Sequence, residues 1–242
     1  MKITILTTFP EMFAPLHQSI LGRAQKAGLI SIREVDIRAY SKNKHHNTDD
    51  APYGGGAGMV MLAQPIVDAI RDVQGEGFCG RRIYLSPRGA TLTQKKAEAL
   101  AREKELILLC GHYEGVDQRA LDLCIDEELS IGDYVLTGGE LPALVFVDTV
   151  GRLCEGVLAD ESCFTDESHF NGLLEYPQYS RPAVWHEKEV PGVLLSGHHA
   201  NISRWRREQS LLRTCEKRPD LLEKAALNAV DLAFLQSVPK EK

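Results

Sequence analysis

The chain has 242 residues, 43% of them hydrophobic, which is enough for one large domain or for a main domain with a smaller appendage. Its formal net charge of −6 excludes a polycation that coats nucleic acid, so any contact with RNA must be local. No apolar run reaches the length of a membrane span, the N-terminus shows no signal-peptide pattern, and the six cysteines include no CxxC pair, so we expect a cytosolic protein with free thiols.

Short apolar runs alternate with helical segments over roughly the first 150 residues. Strands are predicted for KITIL, LISIREVDI, RRIYL and LILLC, and helices for residues 11–27, 65–73, 93–103 and 140–153. This alternation predicts an α/β fold whose mostly parallel sheet carries helices on both faces. Ligands of such folds bind beyond the carboxyl ends of strands, where the loops after Leu85, Cys110 and Ser130 lie.

Two earlier glycine-rich segments have different interpretations. Residues 41–58 form a polar loop longer than most connections, which is typical of functional or mobile loops. Gly75, Gly77 and Gly80 spell GxGxxG, but they follow a predicted helix and precede a strand. A dinucleotide fingerprint needs the reverse order, so we interpret these three glycines as an ordinary loop.

Residues 106–142 contain two apolar runs that each end in a glycine-bearing loop. GHYEGVDQR belongs to the first loop and SIGDYVLTGGELPA to the second. Glycines there permit positive φ and let a ligand approach the main chain closely, so that backbone groups can read the edge of a purine. Either loop alone is equally well explained as an ordinary turn, whereas the pair predicts a cofactor pocket.

Charge is distributed unevenly after residue 153. Residues 153–180 contain six acidic side chains and neither lysine nor arginine, and they lack periodicity, which is typical of an interdomain linker. Helices are predicted for residues 198–214, 219–226 and 230–237, with Trp205 among arginines on the first. A small helical domain with a basic face suits an RNA backbone, although a core tryptophan with solubilising arginines explains the composition equally well.

Six ordered segments resemble those of the bacterial tRNA (guanine-N1)-methyltransferases of the SPOUT class, and the resemblance covers essentially the whole chain. The segments are PYGGGAGMVM, LSPRGATLTQ, GHYEGVDQR, SIGDYVLTGGELPA, GLLEYPQYSRP and LLSGHHANISRWRREQSLLRT. The resemblance implies a methyltransferase domain at 1–160 with a trefoil-knotted cofactor site, a linker at 161–176 and a small all-α tRNA-binding domain at 177–242. It further implies a homodimer in which the linker and C-terminal helices of one subunit complete the site of the other.

The same resemblance implies specific site residues. The S-adenosylmethionine pocket would comprise Ser86, Pro87, Gly111, Tyr113, Glu114, Gly115, Ile131, Gly132, Tyr134, Leu136, Gly138, Gly139 and Pro142. The tRNA would be bound by Pro52, Tyr53, Gly54, Gly55, Gly56, His198, Arg204, Trp205 and Arg207. Glu114 would also help to hold Mg²⁺, which this family uses, although the sequence by itself shows no metal site.

The expected reaction is methylation of N1 of guanine 37, the base 3′ to the anticodon, with a guanine before it. Because N1 carries a proton at neutral pH, a base must remove that proton while a cation stabilises negative charge on O6. The resemblance gives the O6 role to Arg152. The position of the family's usual aspartate is occupied by Glu167, so we predict Glu167 as the general base, with the neighbouring Asp166 as the alternative.

Two other functions are weighed against this one. A non-catalytic RNA-binding protein would show an eroded cofactor loop or lack the carboxylate–arginine pair, and neither feature is seen. A related enzyme acting on ribose 2′-OH or on ribosomal RNA would share the knot but not the PYGGGAG and SGHHANISRWR segments. Product analysis on unmodified tRNA separates the three.

Overall fold

The computed structural model describes residues 1–159, 164 and 166–238. The chain divides into two compact units, Met1–Asp160 and Glu161–Lys242. Residues 161–163 and 165 of the predicted linker lie outside the described residues, and the linker assignment stays a prediction. No helix in the described part of the chain is both long and apolar enough to cross a membrane.

The first unit alternates strands and helices as predicted. In chain order its elements are β1 (Lys2–Thr7), α1 (Ser19–Lys26), β2 (Ser31–Asp36), β3 (Asp49–Asp50), β4 (Val60–Met61), α2 (Ala63–Gln74), β5 (Arg81–Thr91), α3 (Gln94–Leu100), β6 (Glu105–Cys110), α4 (Gln118–Cys124), β7 (Glu127–Ser130) and α5 (Glu140–Gly151). Two 3₁₀ helices, Pro10–His17 and Ile37–Tyr40, follow β1 and β2.

Five strands form one sheet in the order β2-β1-β6-β5-β7, and all neighbouring pairs are parallel. One face packs Ile5 and Leu108 against helical residues such as Phe146, and the other packs Leu109 against residues such as Ile70. A parallel sheet needs helices on both faces to bury its apolar residues. The predicted α/β fold with a mostly parallel sheet is therefore confirmed.

The predicted helix over residues 11–27 is wrong in form. The segment instead forms a 3₁₀ helix followed by α1. The two helices are separated at Gln18, whose backbone is extended, and α1 begins at Ser19 with a φ of 51°. Pro10 and Pro15 have no backbone N–H to donate, and so they prevent one continuous α-helix across this segment. Short α4 was not predicted; its seven residues give too little periodicity to recognise.

Strand β5 also departs from its predicted end at Leu85. It continues to Thr91, and its pairing with β7 changes register between Leu85 and Ala90. Ser86 and Pro87 therefore lie in an irregular part of β5 and not in a separate loop. Residues inserted at such a register change have no pairing partner on the neighbouring strand and bulge out of the sheet. The GxGxxG glycines lie between α2 and β5, which confirms that they form a loop.

The second unit contains β8 (Val184–Trp185), β9 (Lys188–Glu189), α6 (Gly192–Leu195), α7 (His199–Lys217), α8 (Pro219–Leu222) and α9 (Ala229–Ser237). The three predicted helices exist, although α8 ends four residues early. The prediction of an all-α domain is wrong, because β8 and β9 pair as an antiparallel hairpin. Its tight turn has positive φ at His186 and Glu187, for which the usual Asn-Gly signal is missing from the sequence.

Candidate functional site

A cavity of about 310 Å³ lies where β5, β6 and β7 reach their carboxyl ends. Its walls are residues 84–88, the loop that follows β6 and the loop between β7 and α5. All of the residues predicted for the cofactor pocket line this cavity. Sequence reasoning missed other lining residues, among them Tyr84, Arg88 and His112, which neighbour predicted residues but carry no glycine pattern.

The two glycine loops are fastened to each other at Gly139. Its N–H donates to the carbonyl oxygen of Gly111 over 2.7 Å. A Cβ added at Gly139 would lie 2.7 Å from Cα of Cys110 and 2.8 Å from N of Gly111, closer than real Cβ contacts. Because φ of Gly139 is an ordinary −80°, glycine is required here by the close approach of two backbones and not by a left-handed conformation.

The buried carboxylate of Glu140 lies next to this contact between the two loops. Glu140, the first residue of α5, is 2% exposed and accepts a hydrogen bond of 2.8 Å from Oγ1 of Thr7. Its other oxygen lies 3.8 Å from Nδ1 of His112, in the wall of the cavity. A carboxylate is favoured at a helix N-terminus, and that position directly after two glycines is the only sequence signal that could have indicated Glu140.

Two titratable groups near the cavity are held in their neutral forms. Burial raises the pKa of the Cys110 thiol well above its usual value, and the charge of Glu140 raises it further. Burial likewise raises the pKa of the Tyr84 phenol. Both groups stay protonated at neutral pH, so neither supplies a base or a thiolate nucleophile.

The residues that directly follow the long loop 41–58 are hydrogen-bonded to the loop after β6. The N–H of Glu114 donates to the carbonyl of Met59, and the N–H of Met61 donates to the carbonyl of Gly115, each over 2.9 Å. The predicted tRNA contacts Pro52, Tyr53 and Gly54–Gly56 do not line the cavity, and Tyr53 is fully exposed.

The residues present do not by themselves fit a metal ion. Within residues 1–159, 164 and 166–238, no group of three or more His, Cys, Asp or Glu side chains is placed to hold one. Glu114 is exposed, and its side chain lies against Gly58. The role of Glu114 as a Mg²⁺ ligand is thus unsupported by the protein's own side chains among the described residues.

Arg152 lies apart from the cofactor cavity. It follows the last residue of α5, whereas Gly139 precedes the first, and twelve helical residues span about 18 Å. Arg152 does not line the cavity. The structure therefore does not bring the predicted O6-stabilising arginine to the cofactor pocket within this unit.

The predicted base lies in the second unit, in a separate cavity of about 260 Å³. Asp166, Glu167 and Arg207 line it together, and sequence reasoning missed Tyr176 and Arg206, which line it as well. The other predicted tRNA contacts of this unit surround the start of α7: His198 is its N-cap, Arg204 is exposed, and Trp205 is partly buried with its ring 6.3 Å from that of Tyr179.

Arg207 has a structural partner. Its guanidinium donates two hydrogen bonds, of 3.1 and 2.8 Å, to the carboxylate of Asp231, which is 3% exposed. Asp231 also forms a capping box with Asn228 at the start of α9. Hydrogen bonding to Arg207 lowers the pKa of Asp231. Arg207 thus links α7 to α9 through an ion pair. Its predicted role in tRNA binding is additional to this structural role and stays a prediction.

Comparison with known proteins identifies the family. A protein-family sequence model described as "tRNA (Guanine-1)-methyltransferase TrmD" matches residues 1–224 of this chain. The chain belongs to this family. It is 58% identical over 226 residues to the tRNA (guanine-N(1)-)-methyltransferase of Ruminiclostridium cellulolyticum, covering 93% of this chain and 97% of the relative. It is 54% identical over 244 residues to the enzyme of that name from Halalkalibacterium halodurans, covering 100% and 99%.

The match to the TrmD family includes both cavities. Residues 1–224 contain the three loops at the sheet edge, the residues around Glu167 and the whole of α7. Helix α9 lies beyond the matched range, although its Asp231 is the partner of Arg207. The family resemblance stated from sequence motifs is confirmed.

Proposed function

We propose that this tRNA (guanine-N1)-methyltransferase takes its methyl group from S-adenosylmethionine and transfers it to guanine 37, next to the anticodon, in tRNAs with a guanine before that position. The observation that carries the proposal is the convergence of every predicted cofactor residue on one cavity of a chain that matches the family over 224 residues. S-adenosylmethionine supplies an electrophilic methyl group, so the protein's task at this cavity is binding and orientation.

Backbone groups of the two glycine loops and the walls of Tyr134, Leu136 and Pro142 suit the adenosine part of this cofactor. The test is incubation of the protein with labelled S-adenosylmethionine and an unmodified tRNA transcript, followed by nucleoside analysis. We expect 1-methylguanosine at the target position and none when that guanine is replaced by adenine. Label at another nucleotide would overturn the assignment.

We propose Glu167 as the base that removes the N1 proton. Its side chain is half-buried in a cavity that also contains arginines, and the exposed Asp166 is its only acidic neighbour among the described lining residues. Glu167→Gln should keep tRNA and cofactor binding but lower kcat by about 10²- to 10⁴-fold, which is typical of removing a general base. Asp166→Asn is the matched control and should have little effect; the reverse pattern would transfer the role to Asp166.

We propose that the enzyme is a homodimer whose sites are shared. Helix α5 supports a subunit interface, because it buries Phe146 and Val147 on one side while Leu141 and Val145 on another remain 46% and 47% exposed. An exposed apolar helix face is typical of an interaction surface. Arg152, at the far end of this helix from the cofactor loops, would then act in a site completed by the other subunit.

Heterodimers test the shared site. A subunit with Arg152→Ala and a subunit disabled at Gly139 by the bulky substitution Gly139→Trp should each be inactive alone, and mixing them should restore part of the activity because one of the two sites keeps both residues intact. Sedimentation of the wild-type protein should show a dimer. No recovery in verified heterodimers would count against shared sites.

The trefoil knot is likewise part of the proposal. Its support is the resemblance of the ordered sequence motifs to the SPOUT class, and the loops that would be threaded are closely packed at the cavity, where Gly139 lies against Cys110 with no room for a side chain. Pulling a single molecule by its two termini measures this directly. A knotted chain stops short of its full extended length by the residues trapped in the knot, and extension to the full length would exclude one.

A further inference from the structure

A buried donor and a buried acceptor face each other beside the cofactor cavity at slightly more than hydrogen-bond distance. Nδ1 of His112 is buried and has no hydrogen-bond partner among the described residues. It lies 3.8 Å from Oε2 of Glu140, whereas an N–H···O hydrogen bond is about 2.7–3.2 Å long. The other carboxylate oxygen of Glu140 accepts a hydrogen bond from Thr7. A shift of about 1 Å would therefore bring Nδ1 and Oε2 into a hydrogen bond.

The separation between these two groups is unfavourable. An unpaired polar atom in a protein interior carries a desolvation penalty, and the Glu140 carboxylate beside it is only 2% exposed. The imidazole of His112 packs against the rings of Phe9 and Tyr113, at centroid distances of 4.9 and 5.0 Å. Tyr113 has a φ of 57°, in the left-handed region that residues other than glycine rarely adopt. Packing thus holds the His112 ring close to its acceptor in a loop whose backbone is itself strained.

The His112–Glu140 pair connects the two loops that form the walls of the cofactor cavity. His112 belongs to the loop after β6, and Glu140 directly follows the loop between β7 and α5. Gly138 lines the cavity next to the pair: a Cβ added there would lie 2.4 Å from Oε2 of Glu140 and 2.6 Å from Nδ1 of His112. A ligand that contacts both loops and draws them together would therefore shorten the distance between Nδ1 and Oε2.

We propose that His112 is a positioning residue for the methyl donor. When S-adenosylmethionine contacts both loops, the N–H at Nδ1 of His112 donates to Oε2 of Glu140 and holds the loops in the conformation that binds the cofactor. This inference rests on the proposed function and adds to it the residue pair that fixes the cofactor loops. A neutral imidazole with its proton on Nδ1 is sufficient for this bond. His112 thus acts through Glu140 and not by contact with the transferred methyl group.

The test compares two substitutions of His112, one that keeps a donor near Nδ1 and one that removes it. The side-chain amide of asparagine carries N–H donors, whereas leucine has none. His112→Leu should raise Kd for S-adenosylmethionine about ten- to a hundred-fold in titration calorimetry, as expected for losing a hydrogen bond to a charged group. His112→Asn should bind nearly as tightly as wild type. Equal losses in the two variants, or no loss with His112→Leu, would overturn the proposal.

The same comparison in a Glu140→Met background tests whether Glu140 is the partner. Glu140→Met alone should weaken cofactor binding, and adding His112→Leu should weaken it no further, because the acceptor is already absent. An additional loss as large as in wild type would show that His112 acts on another group, which overturns the proposal. Should Glu140→Met fail to fold, Glu140→Gln replaces it. The effect of His112→Leu should then be smaller than in wild type, since hydrogen bonds between neutral groups are weaker.

Thermal unfolding separates positioning from a purely structural role. Because Nδ1 and Oε2 lie 3.8 Å apart, His112→Leu should leave Tm unchanged when no cofactor is added. It should reduce the rise in Tm that S-adenosylmethionine produces, since that rise depends on Kd. A Tm that falls equally with and without S-adenosylmethionine would assign His112 a structural role and overturn the proposal.

His45→Leu is the matched control, because His45 is an exposed histidine that does not line the cavity. It should have the Kd and the Tm of wild type. The failure of this inference is distinguishable from that of the proposed function. If wild type binds no S-adenosylmethionine, the proposed function fails. If wild type binds it and His112→Leu binds it equally well, only the role of His112 fails.

Discussion

Substituting Gly139 by alanine isolates the contact between the two cofactor loops. The new Cβ would lie 2.7 Å from Cα of Cys110, whereas ordinary van der Waals contact begins at 3.4 Å. The added atom is therefore about 0.7 Å too close. Both neighbours are backbone, so no side chain can rotate away. The loop must move, and its hydrogen bond to the carbonyl of Gly111 must lengthen or break.

The cost of such overpacking is typically about 1–3 kcal/mol. If the loop moves to relieve it, the energy is lost from cofactor binding, and Kd for S-adenosylmethionine should rise by about 5- to 150-fold. If the fold keeps the loop in place, stability falls instead, and Tm should drop by about 2–4 °C for each kcal/mol. Titration calorimetry with the cofactor and thermal unfolding of the free protein measure the two parts separately.

Gly192→Ala is the control, because Gly192 begins α6, has no positive φ and has nothing within 4 Å of an added Cβ. It should leave Kd unchanged and Tm the same or slightly higher, since alanine is the better helix former. A Gly139→Ala protein with the cofactor affinity and the Tm of wild type would refute the reasoning, because the two loops could not then be as closely packed as described.

Two other predictions concern buried carboxylates. Asp231→Asn should lower Tm at neutral pH, through a loss of about 1–3 kcal/mol that is smaller than the 3–5 kcal/mol of a fully buried pair because Arg207 is partly exposed. The pKa of Asp231 in the folded protein lies below its usual 3.8, so its stabilising effect is fully present above pH 3.8 and is lost as pH falls through the folded pKa. The difference in Tm between Asp231→Asn and wild type should therefore shrink in acid. A difference in Tm that does not depend on pH would contradict this. Thr7→Val should cost about 1–3 kcal/mol in the free energy of unfolding, because Glu140 loses its hydroxyl donor, whereas binding of tRNA should not change; an unaltered denaturant midpoint would show that another donor replaces Thr7.

The local pattern of the sequence was sufficient for strands β1, β2, β5 and β6, for helices α2, α3 and α5, and for the position of the cofactor loops, but not for α4 or for the break before α1. Alternating apolar runs are typical of a parallel α/β sheet, and glycines directly after a run such as the one ending at Cys110 indicate backbone exposed to a ligand. The ordered motifs identified the family, which the match over residues 1–224 confirms. These features lie within short windows of sequence, where a single residue or its neighbours carry the information.

Only the tertiary structure decided what lies together. The strand order β2-β1-β6-β5-β7 places three loops from distant parts of the chain around one cavity, and no local pattern fixes which strands become neighbours. The pairing of Arg207 with Asp231, 24 residues away, and the burial of Glu140 beneath Thr7 depend on the same kind of long-range contact. The sequence determined which segments could form each element, whereas packing of the whole chain determined which polar side chains are buried partners.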